Sequence, residues 1–290
     1  MAYDSPMTKR RTIAREIACE GTALHAGTQV RMLLAPAAAS TGVVFLRSDL
    51  DGARVPARYD TVSETTLGTT IESGRAAVSV VEHLMAAIAG SAIDDLMVIV
   101  DGPEPPVLDG DALSFMDLID AAGVKEHEAE RQAIKVLRRV EVTHNGSSVA
   151  LVPAPTASFT FEIVFPSAAI GRQTFSLEFT PETFRREIAP ARTFGDIAQL
   201  EALKQMDRGH GASLHNTLAI DGDRVLNADI MRFKDEFVRH KILDAVGDMA
   251  LAGAPLIARF EGVKSGHALN NTALRTLFAD SANYRLVTAP

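Results

Sequence analysis

The stretch 237–248, FVRHKILDAVGD, places an imidazole and a carboxylate four residues apart inside an otherwise apolar run. On a helix, positions i and i+4 stack on one face, so His240 and Asp244 reach toward one point in space. Phe237, Val238, Ile242, Leu243, Ala245, Val246 and Met249 surround them, which predicts a mostly buried helix with a single charged stripe. A buried charge needs a partner, and a metal ion is one. A surface His–Asp pair fits the same spacing, so this segment does not decide by itself.

A second apolar helical run, SVVEHLMAAIAG at 79–90, holds an acid next to an imidazole. Hydrolytic zinc takes three protein ligands and keeps one position for water, and nitrogen and oxygen donors suit it. His83 would complete such a set. Glu82 beside it is placed to take the proton of a bound water as general base. The same pair also fits an ordinary first helical turn, with Glu82 favoured by the macrodipole and His83 satisfied in the core. A third segment, KSGHALNN at 264–271, reads as a glycine-assisted turn that presents His267 after an apolar strand expected over 255–260. Such a histidine can protonate a leaving group, because its ordinary pKa lies near the working pH. Taken singly it is a turn histidine; three such elements in one chain favour a hydrolytic centre.

Composition narrows the class. The chain has 290 residues, 47% hydrophobic and 23% charged, enough for one or two domains with a sizeable core. A formal charge of −8 argues against a nucleic-acid partner, so any phosphate must be held by local lysines or arginines. One cysteine, Cys19, excludes an intramolecular disulfide and suits a reducing cytoplasm. The stretch 1–11 has no signal-like apolar core, and no run reaches the roughly 18 apolar residues of a membrane span. A cytoplasmic monomer without stable membrane insertion is expected.

Alternation predicts strands over 30–34 and 42–47, then a helix over 76–90, a strand over 96–100, a turn at Asp101-Gly102-Pro103 and a helix over 112–122. After the charged stretch 125–131, read as a linker, strands are predicted over 134–142, 148–152 and 159–165, and helices over 233–252 and 273–280. The second half repeats the first in type. This places the domain boundary in the charged stretch of an α+β chain, between 8–126 and 132–290; two similar β-α-α-β sandwich domains facing each other would create a cleft for the site, an arrangement the pattern alone leaves open. Insertions are expected at about 49–71 and 191–227. The second of these reads as strand, helix over 196–206, a glycine-rich turn at Arg208-Gly209-His210-Gly211, strand, and a turn at Asp221-Gly222.

In order, VEHLMAAIAG, VDGPEPPVLDG, ARTFG, RVLN, FVRHKILDAVGD and KSGHALNN span nearly the whole chain. The combination resembles the zinc-dependent UDP-3-O-acyl-N-acetylglucosamine deacetylases of bacterial lipid A synthesis. The resemblance implies the paired sandwich fold and one catalytic Zn2+ held by His83, His240 and Asp244. It implies as substrate a UDP-linked N-acetyl amino sugar carrying a fatty acyl chain. Glu82 would be the general base, His267, held as imidazolium by Asp248, the general acid, and the Thr193 hydroxyl an oxyanion donor. Lys241, expected to point away from the ligands, and Lys264 would contact sugar or phosphate, and Phe165 would stack on uracil. Phe194, Leu24, Ala212, Ser213 and Leu214 would line an acyl passage formed by the second insertion.

Some positions depart from the family pattern. Gly68 stands where a cysteine near the metal is frequent, Ser167-Ala168 replaces a frequent His-Pro, and His210 and His215 flank the glycine-rich segment. These leave the ligand set intact and bear on acyl length and headgroup. Two competing readings are the same chemistry on another N-acyl amino sugar, and a catalytically silent binding protein with a structural zinc. Structural zinc calls for four protein ligands, whereas three with a free carboxylate favour catalysis.

Overall fold

The computed structural model of the chain describes residues 8–289; the polar stretch 1–7, part of the N-terminus read above, lies outside them. Gln29–Pro36 buries Val30, Met32 and Leu34 and exposes Gln29 and Arg31, and Ser158–Val164 alternates in the same manner. Period-two alternation makes a strand with one dry and one wet face. Each belongs to a five-stranded sheet. The first runs Ile17–Thr22, Gln29–Pro36, Leu96–Val100, Val43–Arg47, Ala53–Pro56, and the second Val140–His144, Ser147–Val152, Arg259–Val263, Ser158–Val164, Arg172–Glu178. In both, successive pairings are antiparallel, antiparallel, parallel, antiparallel. The two halves therefore share one topology, as the repeated pattern of strands and helices predicts for an α+β fold.

Helices fill the space between. The first half supplies α1 (Glu82–Gly90) and α2 (Leu113–Ala122). The second supplies α3 (Pro181–Glu187), α4 (Ile197–Gln205), α5 (Glu236–Ala250) and α6 (His267–Ala279). α2 lies against Ile17–Thr22, α5 against Ser158–Val164 and Arg172–Glu178, and α6 against Val140–His144 and Ser147–Val152. α1 and α5 meet at the centre, where apolar residues of both halves form one continuous cluster. Their crossing is close: a Cβ on Gly247 of α5 would stand 2.0 Å from the Glu82 carbonyl oxygen of α1. A glycine inside a helix destabilises it by roughly 0.5–1 kcal/mol relative to alanine, and here it removes the one atom that would hold the helices apart.

Several segments differ from their sequence-based expectation. Of the span 49–71, Ala53–Pro56 is the edge strand of the first sheet, and a separate small sheet of Val62–Glu64, Thr70–Ser73 and Ala76–Val78 runs beyond it. Because Ala76–Val78 pairs with Thr70–Ser73, the helix expected from 76 starts only at Glu82, after Val80 turns the chain at φ 55°. The charged stretch 125–131 is not an unstructured linker: Val124–Glu130 is a strand antiparallel to Lys9–Ile13, with Lys9–Glu128 and Arg11–Glu126 ion pairs along it. Glutamate and lysine are weak strand formers, and the partner that orders them is distant in sequence. The strand expected over 134–142 is two, Gln132–Val136 and Val140–His144, in different sheets. α6 begins at His267, so the KSGHALNN histidine opens a helix after an extended Gly266. The second insertion forms a βαβ unit in which Phe194–Asp196, α4 and Leu218–Asp221 are followed by the short strand Arg224–Val225. No described helix is long and apolar enough to cross a membrane.

Gly247→Ala is expected to destabilise the chain by about 1–3 kcal/mol or more, since the clash is with backbone, and to lower metal uptake. Gly195→Ala, whose Cβ would meet nothing within 4 Å, is the control. Thermal unfolding with metal analysis checks both; an unchanged melting temperature for Gly247→Ala contradicts the account.

Candidate metal centre and catalytic site

Glu82 and His83 occupy the first turn of α1, beside Gly247 of α5. α5 presents His240, Asp244 and Asp248 at successive four-residue steps along one face. His83 Nε2 lies 3.5 Å from Asp244 Oδ1, and His240 Nε2 lies 3.4 Å from the same oxygen. The three residues are buried, and their donor atoms all lie within 4.8 Å of one another. The two imidazoles stand edge to face, 4.9 Å between centroids. His240 Nδ1 lies 3.1 Å from the Ala191 carbonyl oxygen. Donating there leaves the Nε2 lone pair directed at the cluster, the orientation a metal-binding histidine needs.

His240 and Asp244 hold the charge states a cation site needs, whereas His83 is held toward its protonated form by Asp244, a proton that a bound cation would displace. Burial drives the His240 pKa down to about 3, so the ring is neutral, as a ligand must be. Burial also works against a charge on His83, but its hydrogen bond and charge interaction with Asp244 carry its pKa above the ordinary value. Asp244 is buried too, yet the Lys241 ammonium and the surrounding imidazoles hold it well below the usual carboxylate range. Two imidazole nitrogens and a carboxylate converging in this way would hold a divalent cation. Lys241 does not point away from the ligands: Nζ donates to Asp244 Oδ2 at 2.5 Å. A part-buried ammonium three residues before a carboxylate on the same helix finds its counter-charge there.

A second pair of groups stands next to this cluster. Glu82, 3% exposed, accepts the Thr69 N–H at Oε2 (2.9 Å), while its Oε1 lies 3.8 Å from His267 Nε2. Burial raises the Glu82 pKa. His267 Nδ1 donates to Asp248 Oδ2 at 2.9 Å. Burial opposes the imidazolium, but the Asp248 and Glu82 charges carry its pKa up to about 9. The geometry thus offers a buried carboxylate and a protonated imidazole side by side. Asp248 accepts further from Thr69 Oγ1 at 2.6 Å and from Asn270 Nδ2 at 2.8 Å. Thr69, Asn270 and the Ala191 carbonyl escaped the sequence reading. Asn270 follows His267 by three, a spacing that becomes informative once His267 is on a helix. Thr69 and Asp248 are 179 positions apart, and no local pattern could join them.

The remaining expected residues do not gather at one point. Phe194 lies beside the cluster, its ring 6.0 Å from His240 and 5.7 Å from Phe165. Thr193 is fixed through its backbone, donating to the Gly110 carbonyl and accepting from Leu218 N–H, both at 2.8 Å. Leu24 meets the second insertion: its carbonyl accepts Gly211 N–H at 3.0 Å, and a Cβ on Gly211 would stand 2.1 Å from the Ala23 oxygen. Ala212 and Ser213 help line an open hollow of about 730 Å³ with Thr22, Val107, Leu108 and His210, whereas Leu24 and Leu214 do not line it. Lys264 sits by the hairpin turn at Gly146. Among the departures, Gly68 is at φ +152° with its missing Cβ 3.0 Å from Glu82 Oε1, and Ser167 Oγ donates to the Gly222 carbonyl of the second insertion. His210 pairs with Asp207 at 2.9 Å.

His83→Ala, His240→Ala and Asp244→Ala are each expected to lose most of the metal bound per chain by elemental analysis. Full occupancy in all three variants would contradict the ligand assignment.

A model of the UDP-3-O-acyl N-acetylglycosamine deacetylase family matches residues 10–279. A protein of Phenylobacterium zucineum (strain HLK1) named UDP-3-O-acyl-N-acetylglucosamine deacetylase is 45% identical over 273 residues, covering 92% of each chain. One of the same name from Myxococcus xanthus (strain DK1622) is 42% identical over 281 residues, covering 97% of this chain and 90% of its own. With a matching α+β fold and a His-His-Asp cluster at its centre, this chain belongs to the UDP-3-O-acyl N-acetylglycosamine deacetylase family, and it is a deacetylase.

Proposed function

We propose that the chain uses one zinc ion to hydrolyse the N-acetyl group of UDP-3-O-acyl-N-acetylglucosamine in the cytoplasm, releasing acetate and the free amine, the committed step of lipid A synthesis. The observation that carries this reading is the meeting, at one helix crossing, of three convergent donors with a carboxylate and an imidazolium 3.8 Å apart. Amide hydrolysis needs that combination, because the carbonyl is a weak electrophile and the amine a poor leaving group. An ion held by His83, His240 and Asp244 supplies Lewis-acid polarisation of water and carbonyl. Glu82 takes one proton from the attacking water as its oxygen bonds to the acetyl carbon. The Thr193 hydroxyl donates to the oxygen that becomes negative. His267 delivers its Nε2 proton to the nitrogen as the C–N bond breaks, with Asp248 holding the ring at Nδ1. The water oxygen leaves in acetate.

For the rest of the substrate we assign Phe165 to the uracil, Lys264 to the diphosphate and Lys241 to the sugar side. Phe194, Leu24, Ala212, Ser213 and Leu214 are assigned to the acyl chain. The position of Phe194 beside His240 and the seating of Gly211 on Leu24 support an acyl path that ends near the metal residues. Another N-acyl amino sugar is the second reading, favoured by the Ser167 tie to the second insertion, where the family pattern is not followed.

Acetate release by the purified protein, measured over substrates that differ only in acyl length, decides between them. Burial contributes about 0.8 kcal/mol per methylene, so rates should rise with length and fall once the chain overruns the passage. Ala212→Leu should move that optimum with metal retained; equal rates for acylated and unacylated substrate would favour the second reading. Glu82 must be ionised and His267 protonated, so activity should rise above the ordinary carboxylate range and fall above a pH of about 9. Glu82→Gln should lower kcat about 10²–10⁴-fold and remove the acid limb. Wild-type turnover across pH in Glu82→Gln or His267→Ala contradicts the mechanism.

A further inference from the structure

Thr69 is 1% exposed, and every polar group it owns is engaged at the α1–α5 crossing. Its N–H donates to Glu82 Oε2 at 2.9 Å, its hydroxyl to Asp248 Oδ1 at 2.6 Å, and its carbonyl accepts Val81 N–H at 3.2 Å. We propose that Thr69 is a positioning residue that couples the general base to the general acid, selecting which oxygen of each carboxylate is free to act. This rests on the roles assigned above to Glu82, Asp248 and His267.

The selection follows from the geometry. With Oε2 of Glu82 held by the Thr69 N–H, Oε1 is the oxygen left facing His267. With Oδ1 of Asp248 held by the Thr69 hydroxyl, Oδ2 is the oxygen that takes His267 Nδ1 and Asn270 Nδ2. Hydrogen bonds to an ionised carboxylate are short and strong, so both choices are firm. The flanking backbone is built to hold this residue close. Gly68 precedes it at a φ of +152°, where a Cβ would crowd Glu82 Oε1. Val80 on the facing segment has φ 55°, a strained conformation for a β-branched residue that persists where its surroundings over-determine it. Those surroundings include the Val81–Thr69 bond and the Thr70 Oγ1–Ser79 Oγ bond of 2.9 Å. His267 is faced by Asp248 of α5 and Glu82 of α1, with Asp244 acting from farther off.

Thr69→Val keeps the shape and the N–H and removes the hydroxyl; Thr69→Ser keeps the hydroxyl. Both are assayed as metal-loaded enzyme on UDP-3-O-tetradecanoyl-N-acetylglucosamine, beside Glu82→Gln and His267→Ala. Losing a hydrogen bond to a charged acceptor should lower kcat of Thr69→Val about tenfold or more, with KM and metal content unchanged. Asp248, with one donor fewer, becomes a stronger acceptor for His267, so the alkaline limb should move to higher pH. Thr69→Ser should restore kcat to within a few-fold of wild type and return the limb. Wild-type kcat in Thr69→Val, a fall with an unmoved limb, or failure of Thr69→Ser to restore activity, each with Glu82→Gln and His267→Ala inactive, overturns the proposal alone. Wild-type activity in Glu82→Gln or His267→Ala overturns the underlying roles and the proposal with them.

Discussion

The absence of a side chain at Gly247 lets two helices from different halves of the chain touch backbone to backbone. Helices usually pack with their axes about 8–10 Å apart, at a distance set by the side chains between them. Here the Glu82 carbonyl occupies the place a Cβ would take, so the first turn of α1 is drawn against the middle of α5. His83 from one half then meets Asp244 and His240 from the other. Glu82 comes within 3.8 Å of His267, which α6 brings to the same crossing. None of the halves holds a complete set of groups alone.

Burial is shared by these groups, yet their protonation states diverge because their neighbours differ. His240 is driven to the neutral form by its burial, with a pKa of about 3, because the Asp244 charge that opposes this is offset by His83 and Lys241. His267, between two carboxylates, is carried the other way, to about 9. Separation of two like groups by environment is how one site runs opposite chemistry: a neutral ring can donate its lone pair to a cation, and a charged ring can donate its proton. Lys241 adds to the division by keeping Asp244 ionised.

The parts legible in the sequence were those carried by local period. FVRHKILDAVGD on one helix puts His240, Asp244 and Asp248 in line, and VEHLM attaches Glu82 to His83, because four-residue and adjacent spacings translate directly into helix geometry. The repeated order of strands and helices shows that the second half repeats the first in type, while the paired sandwich arrangement is carried by the family resemblance. Boundaries were less legible where a distant partner decides them: Ala76–Val78 is a strand through its pairing with Thr70–Ser73, and Val124–Glu130 through its pairing with Lys9–Ile13. The same holds at the site. Thr69 reaches Asp248 across 179 positions, and the Ala191 carbonyl that orients His240 belongs to no side-chain pattern at all. Lys241 turns toward Asp244 against the sequence expectation, because spacing gives the face of a helix but not the bend of a long side chain toward its counter-charge.

At the α1–α5 crossing, His83, His240 and Asp244 are the residues proposed to hold one divalent ion. X-ray absorption at the zinc edge of the zinc-loaded protein tests this most directly, because it reads the ligand atoms without reference to activity. The account expects a nitrogen and oxygen shell at about 2.0–2.1 Å containing two imidazoles and no sulfur. A sulfur ligand, or a shell with fewer than two imidazoles, would contradict it.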